Sequence, residues 1–328
     1  MHRCFQLAKA GESYVAPNPM VGAVLVYEDR IIGEGCHEEF GMAHAEVNCI
    51  RSVKEADRQF IDQSTLYVSL EPCSHFGKTP PCTDLILQHK IPKVVIAVQD
   101  IFSEVNGKGI QRLRENNTEV ITGVLEKEGK ELIHQYLFFH QHKLPYITLK
   151  FAQSKDGFMG IQGKEIAISG PLAQRYTHQL RAAHQGVLVG KNTVLTDNPQ
   201  LTVRYWTGKH PTRLVLANEE DIPENYPIFS NNAPTLFLSG SIPEILTAIA
   251  GHSVISVLVE GGANVLRQFI DTNCWNEAHI ITSNQLMTKT EQDIPIPSPC
   301  IKGISENTFS LENDTVQILK NHNAIFTP

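Results

Sequence analysis

The chain has no surplus of positive charge: 28 Lys and Arg stand against 35 Asp and Glu, giving a formal net charge of -7 and a pI near 6.1. No global field exists to hold a long polynucleotide, and no basic stripe interleaved with aromatics is present, so no nucleic-acid partner is expected. A small anionic substrate is not excluded, because a few local arginines suffice for one phosphate. Long apolar runs are lacking as well. Nothing approaches the ~18 apolar residues of a membrane span, and Met1-His2-Arg3-Cys4-Phe5-Gln6 carries no apolar leader core, so no membrane partner is expected. A cytoplasmic location is the expectation. Cysteine is scarce and odd in number, seven in all, which fits free thiols and metal ligands better than a disulfide framework. Internal repeats and low-complexity tracts are absent.

What is present is ordinary for a globular protein, 41% hydrophobic and 19% charged, in a chain too long for one typical core. Residues 2–12 read as a short amphipathic helix broken by Pro17-Asn18-Pro19. A strand over 21–27 and its hairpin partner over 31–35 follow. Next come a helix from His44 to about Val53, a strand over 65–70, a helix from Cys82, a strand over 93–98, a helix over 109–115, a strand over 118–122 and one long helix over 125–140. A hairpin followed by alternating helices and strands predicts a mixed sheet covered on both faces. His140-Gln141-His142-Lys143-Leu144-Pro145 breaks the pattern and sets domains of 1–143 and 144–328. The second half starts afresh: a strand over 146–151, a loop, a helix over 171–184, and strands near 186–189, 213–216, 235–238, 254–259 and 279–282. Helices over 243–250 and 265–272 lie between the later strands, so this is a second α/β unit.

His44-Ala45-Glu46, Glu71-Pro72-Cys73 and Pro80-Pro81-Cys82 carry the chemistry of the first half. One imidazole and two thiols are the three ligands of a catalytic zinc whose fourth position is kept for water. Glu46, two residues past the histidine, handles the proton of that water without being a ligand. The pattern His-x-Glu…Pro-Cys-x-x-Cys marks zinc deaminases acting on nucleobases. Here eight residues rather than two separate Cys73 from Cys82. A lone His-x-Glu usually marks a plain helix start, and two distant cysteines usually pack as small apolar groups. Together, each at a strand-to-helix junction, they predict a zinc hydrolase that removes an amino group from a heteroaromatic ring. His37, His75, Cys36 and Cys49 are competing ligands, of which Cys36 and Cys49 are assigned to packing.

In the second half, Val187-Leu188-Val189-Gly190-Lys191-Asn192-Thr193 and Val257-Leu258-Val259-Glu260-Gly261-Gly262-Ala263-Asn264 are strands that run into glycines and helix starts. Both suit a phosphate or ribose, though half of such turns are mere chain reversals. Neither is a Gly-x-Gly-x-x-Gly fingerprint, so a Rossmann assignment is not supported. Arg181 and Arg204 are candidate phosphate clamps against the alternative of solvated surface charges.

Pro17-Asn18-Pro19-Met20-Val21-Gly22-Ala23, His44-Ala45-Glu46-Val47 and Leu70-Glu71-Pro72-Cys73-Ser74-His75-Phe76-Gly77-Lys78-Thr79-Pro80-Pro81-Cys82 closely resemble the deaminase domain of the bifunctional riboflavin-biosynthesis proteins. The long cysteine spacing is normal in that family. The resemblance implies a cytidine-deaminase-like three-layer αβα domain, zinc on His44, Cys73 and Cys82, Glu46 as proton shuttle and Asn18 on the pyrimidine. The loop around Lys78 is then expected to form part of the pocket wall. Asp100 and Gly107-Lys108-Gly109-Ile110 match a further family segment. Lys150-Phe151-Ala152-Gln153-Ser154-Lys155-Asp156-Gly157, Leu180-Arg181-Ala182, the stretch from Val189 to Pro199, Leu201-Thr202-Val203-Arg204 and Val259-Glu260-Gly261-Gly262 are similar to the family's reductase domain. That implies a dihydrofolate-reductase-like α/β fold using NADPH. Ala152, Thr193, Asp197, Gly261, Gly262, Ala263 and Asn264 would then contact the nucleotide. Arg181, Leu201, Arg204 and Glu260 would contact a phosphorylated pyrimidine, whose ribosyl group is reduced to ribityl. A homo-oligomer is expected.

The chain departs from the family pattern before the helix at Pro171, where Glu165 and Ala167 replace a Ser and a Trp, and at Ala217, where a strand commonly ends in Asp. The departures point to a weakened or altered reductase as one alternative. A nucleic-acid base deaminase, disfavoured by the acidic pI, is another. A structural zinc is a third, disfavoured because only three ligands are evident.

Overall fold

Alternation of Ala23 and Leu25, both fully buried, fixes the inner face of the strand that seeds the first sheet. The computed structural model describes residues 1–76, 80–102, 105–322 and 324. By contact, the chain divides into Met1–Gln141 and His142–Pro328.

In the first unit, β1 (Gly22–Tyr27) pairs antiparallel with β2 (Arg30–Cys36) and with β3 (Thr65–Leu70). The strands β3, β4 (Lys93–Val98) and β5 (Glu119–Thr122) run parallel, giving the order β2-β1-β3-β4-β5. On one face α2 (Ala45–Arg51), α3 (Cys82–Gln88) and α4 (Lys108–Glu115) bury Ala45, Cys49, Ile50, Ile86, Ile110 and Leu113 against Ala23, Leu25, Leu66, Val68, Val94 and Ile96. On the other, α1 (His2–Ala8) lies so close that a Cβ on Gly22 would sit 2.0 Å from the Cys4 carbonyl. There α5 (Glu126–Leu132) sets Gly129 against Ala97, Val98 and Phe5. The result is three layers, α–β–α.

The expected single helix over 125–140 is two, α5 and α6 (His134–His142). Ile133, at φ -111° and ψ 24°, ends the first while its side chain stays buried.

The second unit holds an eight-stranded sheet in the order β10-β9-β8-β11-β6-β12-β15-β14. Its parallel part comprises β6 (Tyr146–Gln153), β8 (Gly186–Gly190), β9 (Thr212–Leu216), β10 (Thr235–Leu238), β11 (Ser256–Val259) and β12 (Glu277–Ser283). The other strands are β7 (Phe158–Ile161), β13 (Pro295–Pro297), β14 (Ile304–Leu311) and β15 (Asp314–Lys320). The near-continuous apolar runs of the parallel strands are what burial on both faces demands. One face packs on α9 (Ile242–Gly251) and α10 (Ala263–Asp271) through Ile245, Leu246, Ile249, Leu266 and Phe269. The opposite face packs on α7 (Pro171–Ala182) through Ala173, and on α8 (Lys191–Asp197) through Val194. In place of the expected loop after 151, β6 continues to Gln153 and β7 pairs with β13. The C-terminal strands β14 and β15 add an antiparallel edge that the sequence pattern did not announce.

Candidate metal centre and nucleotide site

His44 is the N-cap of α2 and Cys82 the first residue of α3, so both reach the site from helix starts. Cys73 comes from the loop after β3 and accepts the Cys82 main-chain N–H at 3.3 Å. Amides at a helix start stabilise a thiolate. The Cys73 and Cys82 Sγ atoms stand 3.5 and 3.3 Å from His44 Nδ1, and all three ligand atoms lie within 4.8 Å of one another. A tetrahedral zinc with Zn–S of about 2.3 Å and Zn–N of about 2.0 Å sets N···S separations near ~3.5 Å. The donor set fits that ion. Among the described residues this is the one such group, and the competing ligands His37, His75, Cys36 and Cys49 stand outside it.

The electrostatics agree. The Cys82 thiol, donating to Cys73, brings Cys73 down to about 4, with His44 assisting. Cys82 is correspondingly pushed up, and burial adds to that. The hydrogen bond with Cys73 raises His44. Glu46 is 3% exposed; burial, then the Cys73 charge, pushes its carboxyl up. A carboxyl whose neutral form is favoured by burial can take a proton as well as return one.

Asn18 sits beside this site through His37. His37 Nδ1 lies 3.0 Å from the Ala43 carbonyl and His37 Nε2 3.1 Å from Asn18 Nδ2. A carbonyl only accepts, so Nδ1 carries the proton and Asn18 donates to Nε2. This turns Asn18 Oδ1 away from the imidazole. Lys78, with Gly77 and Thr79, lies outside the described residues; the flanking Phe76 is exposed and Pro81 buried.

In the second unit the carboxyl ends of β8, β11 and β6 lie side by side, the usual place for a ligand in a parallel sheet. Gly261 lies against β8 so tightly that a Cβ would fall 2.4 Å from Val189 Cα. Gly262, at φ 67°, opens α10, and its own Cβ would fall 3.0 Å from Thr193 Oγ1. Thr193, Gly261, Gly262, Ala263 and Asn264 therefore meet in one cradle, while Ala152 stands on β6 beside Ala173 and Ile281. Asp197 closes α8, its carboxyl pushed up by burial and by the nearby Glu165.

Arg181 Nε and Nη2 donate to the two Glu260 oxygens at 2.5 and 2.9 Å, and Nη1 donates to the Thr202 carbonyl at 3.1 Å. Burial alone would push Glu260 up. Arg181, aided by Lys150 and His178, outweighs it and holds the carboxylate below its ordinary range. Leu201 adopts a left-handed backbone at φ 55°, and its 2%-exposed side chain packs with Val187 and Val215. Only its main chain remains for a ligand. Arg204 is exposed; its main-chain N–H donates to His178 Nδ1 at 2.9 Å. Sequence reasoning passed over Lys150 and His178. Burial lowers Lys150 against the pull of Glu260. Burial, then Arg181 and Arg204, brings His178 down to about 4. The available signals were a lysine inside an apolar strand and a histidine three residues before Arg181 on one helix.

The family model of the cytidine and deoxycytidylate deaminase zinc-binding region matches residues 1–98, and that of the RibD C-terminal domain matches residues 145–297. The chain is 38% identical over 308 residues to riboflavin biosynthesis protein RibD of Bacillus amyloliquefaciens, covering 85% of this chain and 82% of that one. It is 36% identical to the RibD protein of Aquifex aeolicus, covering 88% and 86%. A solved Thermotoga maritima structure, described as a diaminohydroxyphosphoribosylaminopyrimidine deaminase/5-amino-6-(5-phosphoribosylamino)uracil reductase, superposes with a TM-score of 0.87 at 33% identity over 98% of this chain and 97% of that one. RibD of Acinetobacter baumannii superposes with a TM-score of 0.85 at 27% identity, over 97% of each chain.

Proposed function

This chain belongs to the RibD family of riboflavin-biosynthesis proteins, and from that membership we propose how its residues divide two consecutive reactions on one phosphorylated pyrimidine. It is an enzyme twice over, a zinc-dependent deaminase and an NADPH-dependent reductase. Its first domain is cytidine-deaminase-like and its second dihydrofolate-reductase-like. We assign residues 1–143 to the first reaction and 144–328 to the second, a division supported by the two units that meet at Gln141 and His142.

His44, Cys73 and Cys82 would hold the zinc, which supplies a water of near-neutral pKa for attack on the amino-bearing ring carbon. Glu46 would take one proton from the attacking water to the ring nitrogen, then carry the proton of the added hydroxyl to the amino group, which leaves as ammonia as the ring carbon becomes a carbonyl. Asn18, oriented by His37, faces the pyrimidine edge with an acceptor. In the second domain, Ala152, Thr193, Asp197, Gly261, Gly262, Ala263 and Asn264 would hold NADPH, which supplies the hydride. Arg204, with the main chain at Leu201, binds the phosphorylated ribose. Arg181 and Glu260 fix one another and that loop, and Lys150 places a cation beside them where the sugar oxygen gains its proton.

The observation that carries this reading is the His44, Cys73 and Cys82 cluster, with its 3.5 and 3.3 Å contacts and Glu46 buried alongside. Metal analysis and both half-reactions, followed on one preparation, test it. Glu46→Ala should retain zinc, keep NADPH-dependent reduction of the deaminated intermediate, and lose deamination; deamination at the wild-type rate would remove Glu46 from its role. Among the described residues no helix is long and apolar enough to cross a membrane; a cytoplasmic location is part of the proposal. A homo-oligomer remains the expected assembly, to be read by light scattering.

A further inference from the structure

We infer that Glu71 is a positioning residue of the deaminase, clamping the Cys73 arm of the metal site to the loop that opens α4. The inference rests on reading His44, Cys73 and Cys82 as the zinc ligands. Glu71 follows the last residue of β3 and is 4% exposed. Its Oε2 accepts the main-chain N–H groups of Asp100 and Gly107 at 3.2 and 3.0 Å. Its Oε1 accepts those of Gly109 and Ile110 at 2.9 and 3.2 Å. Its own N–H donates to the Val98 carbonyl at 2.9 Å. One carboxylate thus gathers both ends of the segment from Asp100 to Ile110.

That joint lies two residues before Cys73. Gly109 is packed so closely on Pro72 that a Cβ would stand 2.1 Å from the Pro72 carbonyl. Beyond it, the Cys73 carbonyl accepts the Thr83 N–H at 3.1 Å and Cys73 Sγ accepts the Cys82 N–H. The path from the α4 loop through Glu71 and Pro72 to the two thiols is therefore continuous. Groups that orient metal ligands from behind are typically worth about 10–100-fold in metal affinity or activity. A carboxylate is required, because four donors need two oxygens that only accept. A glutamine would turn an NH2 group toward two of the four amides.

Glu71→Gln keeps the shape and breaks two of the four acceptances. Zinc affinity, read by competition with a chromophoric chelator, should fall about tenfold or more. Deamination at limiting zinc should fall with it and recover on adding zinc, while reduction in the same preparation continues at the wild-type rate. Glu71→Asp, which keeps both oxygens one methylene short, should fall between. Gly109→Ala, pressing on Pro72 from the other side, should also weaken zinc binding. If Glu71→Gln or Glu71→Asp holds zinc with wild-type affinity, even at a lower melting temperature, Glu71 is only a structural clamp and the inference fails. A wild-type protein that takes up no zinc would instead sink the metal reading on which the inference rests.

Discussion

Arg181→Met tests whether the pair at the heart of the second domain is a charge cluster or merely a packed contact. The change keeps an apolar stem and removes the guanidinium. It deletes two hydrogen bonds to Glu260, at 2.5 and 2.9 Å, and one to the Thr202 carbonyl at 3.1 Å. The two side chains are 11% and 9% exposed, so solvent does not rescue the orphaned carboxylate. Removing one partner of a buried ion pair costs about 3–5 kcal/mol. Lys150 remains as a second cation near Glu260, which places the expected loss toward the lower end, about 3 kcal/mol. Urea unfolding by tryptophan fluorescence reads it directly, since both tryptophans, Trp206 and Trp275, lie in the second unit.

The pH dependence supplies the sign. In the wild type, burial is outweighed and the Glu260 carboxyl is depressed. Its contribution is full above the ordinary carboxylate value of about 4.3 and is lost only as pH falls through the depressed folded value. In Arg181→Met burial prevails and the carboxyl moves above the ordinary value, so stability is lost as pH rises through that window. The wild type should gain nothing from acidification from pH 7 to 5, and the variant should regain part of its loss. Adding Glu260→Gln to the variant should recover more, because no buried carboxylate is then left without its arginine. A loss below about 1 kcal/mol, or the same loss at both pH values, would refute the argument.

Two further predictions follow from neighbouring geometry. In protein stripped of metal, Cys73, brought down to about 4 by the Cys82 thiol and His44, should alkylate at a nearly constant rate from pH 8 to about 5, with Cys82 unreactive and zinc protecting both. A tenfold fall between pH 8 and 7 at the Cys73 peptide would show an ordinary thiol. Arg213 is fully buried and donates to the carbonyls of Gln200, Ile228, Ser230 and Ala233 and to Ser230 Oγ. Arg213→Met should cost about 3 kcal/mol or more, since several buried acceptors lose their donors. It should also raise the reductase KM by loosening Gln200 beside Leu201. An unchanged KM would separate Arg213 from the substrate loop.

The candidate metal centre was legible because each of its parts carries a local signal. His44 and Cys82 each mark a helix start, Cys73 follows a strand whose apolar pattern is unmistakable, and the chemistry of thiols and imidazole narrows the ligand at once. Element boundaries were readable wherever burial imposed a period, as in β3, β4 and α9. They failed where something else decided. Ile133 ends a helix with no glycine or proline at that position to announce it. The strand β14 is almost wholly exposed and survives by its ladder with β15, so no apolar alternation betrays it. β7 and β13 form a two-stranded sheet apart from the main one.

The reductase cluster was legible only in part, for a different reason: the resemblance named Arg181, Arg204 and Glu260 but gave Lys150 and His178 no role. Lys150, His178, Arg181, Thr202, Arg204 and Glu260 lie on four separate segments, and no spacing in the sequence relates one segment to another. The parallel register of β6, β11 and β8 brings Lys150 and Glu260 to one end of the sheet, with Leu149 opposite Val259 and Val259 opposite Leu188, and hydrogen bonds from Arg181 tie in Glu260 and Thr202. That register is fixed by apolar residues on both faces, none of which carries chemistry. Glu260 is therefore delivered to Arg181 by the packing of Val257 and Val259. The departures at Glu165 and Ala167 lie outside the strands that build this cluster. Changes at Val259 or Leu188 should disturb it more than changes at those two residues.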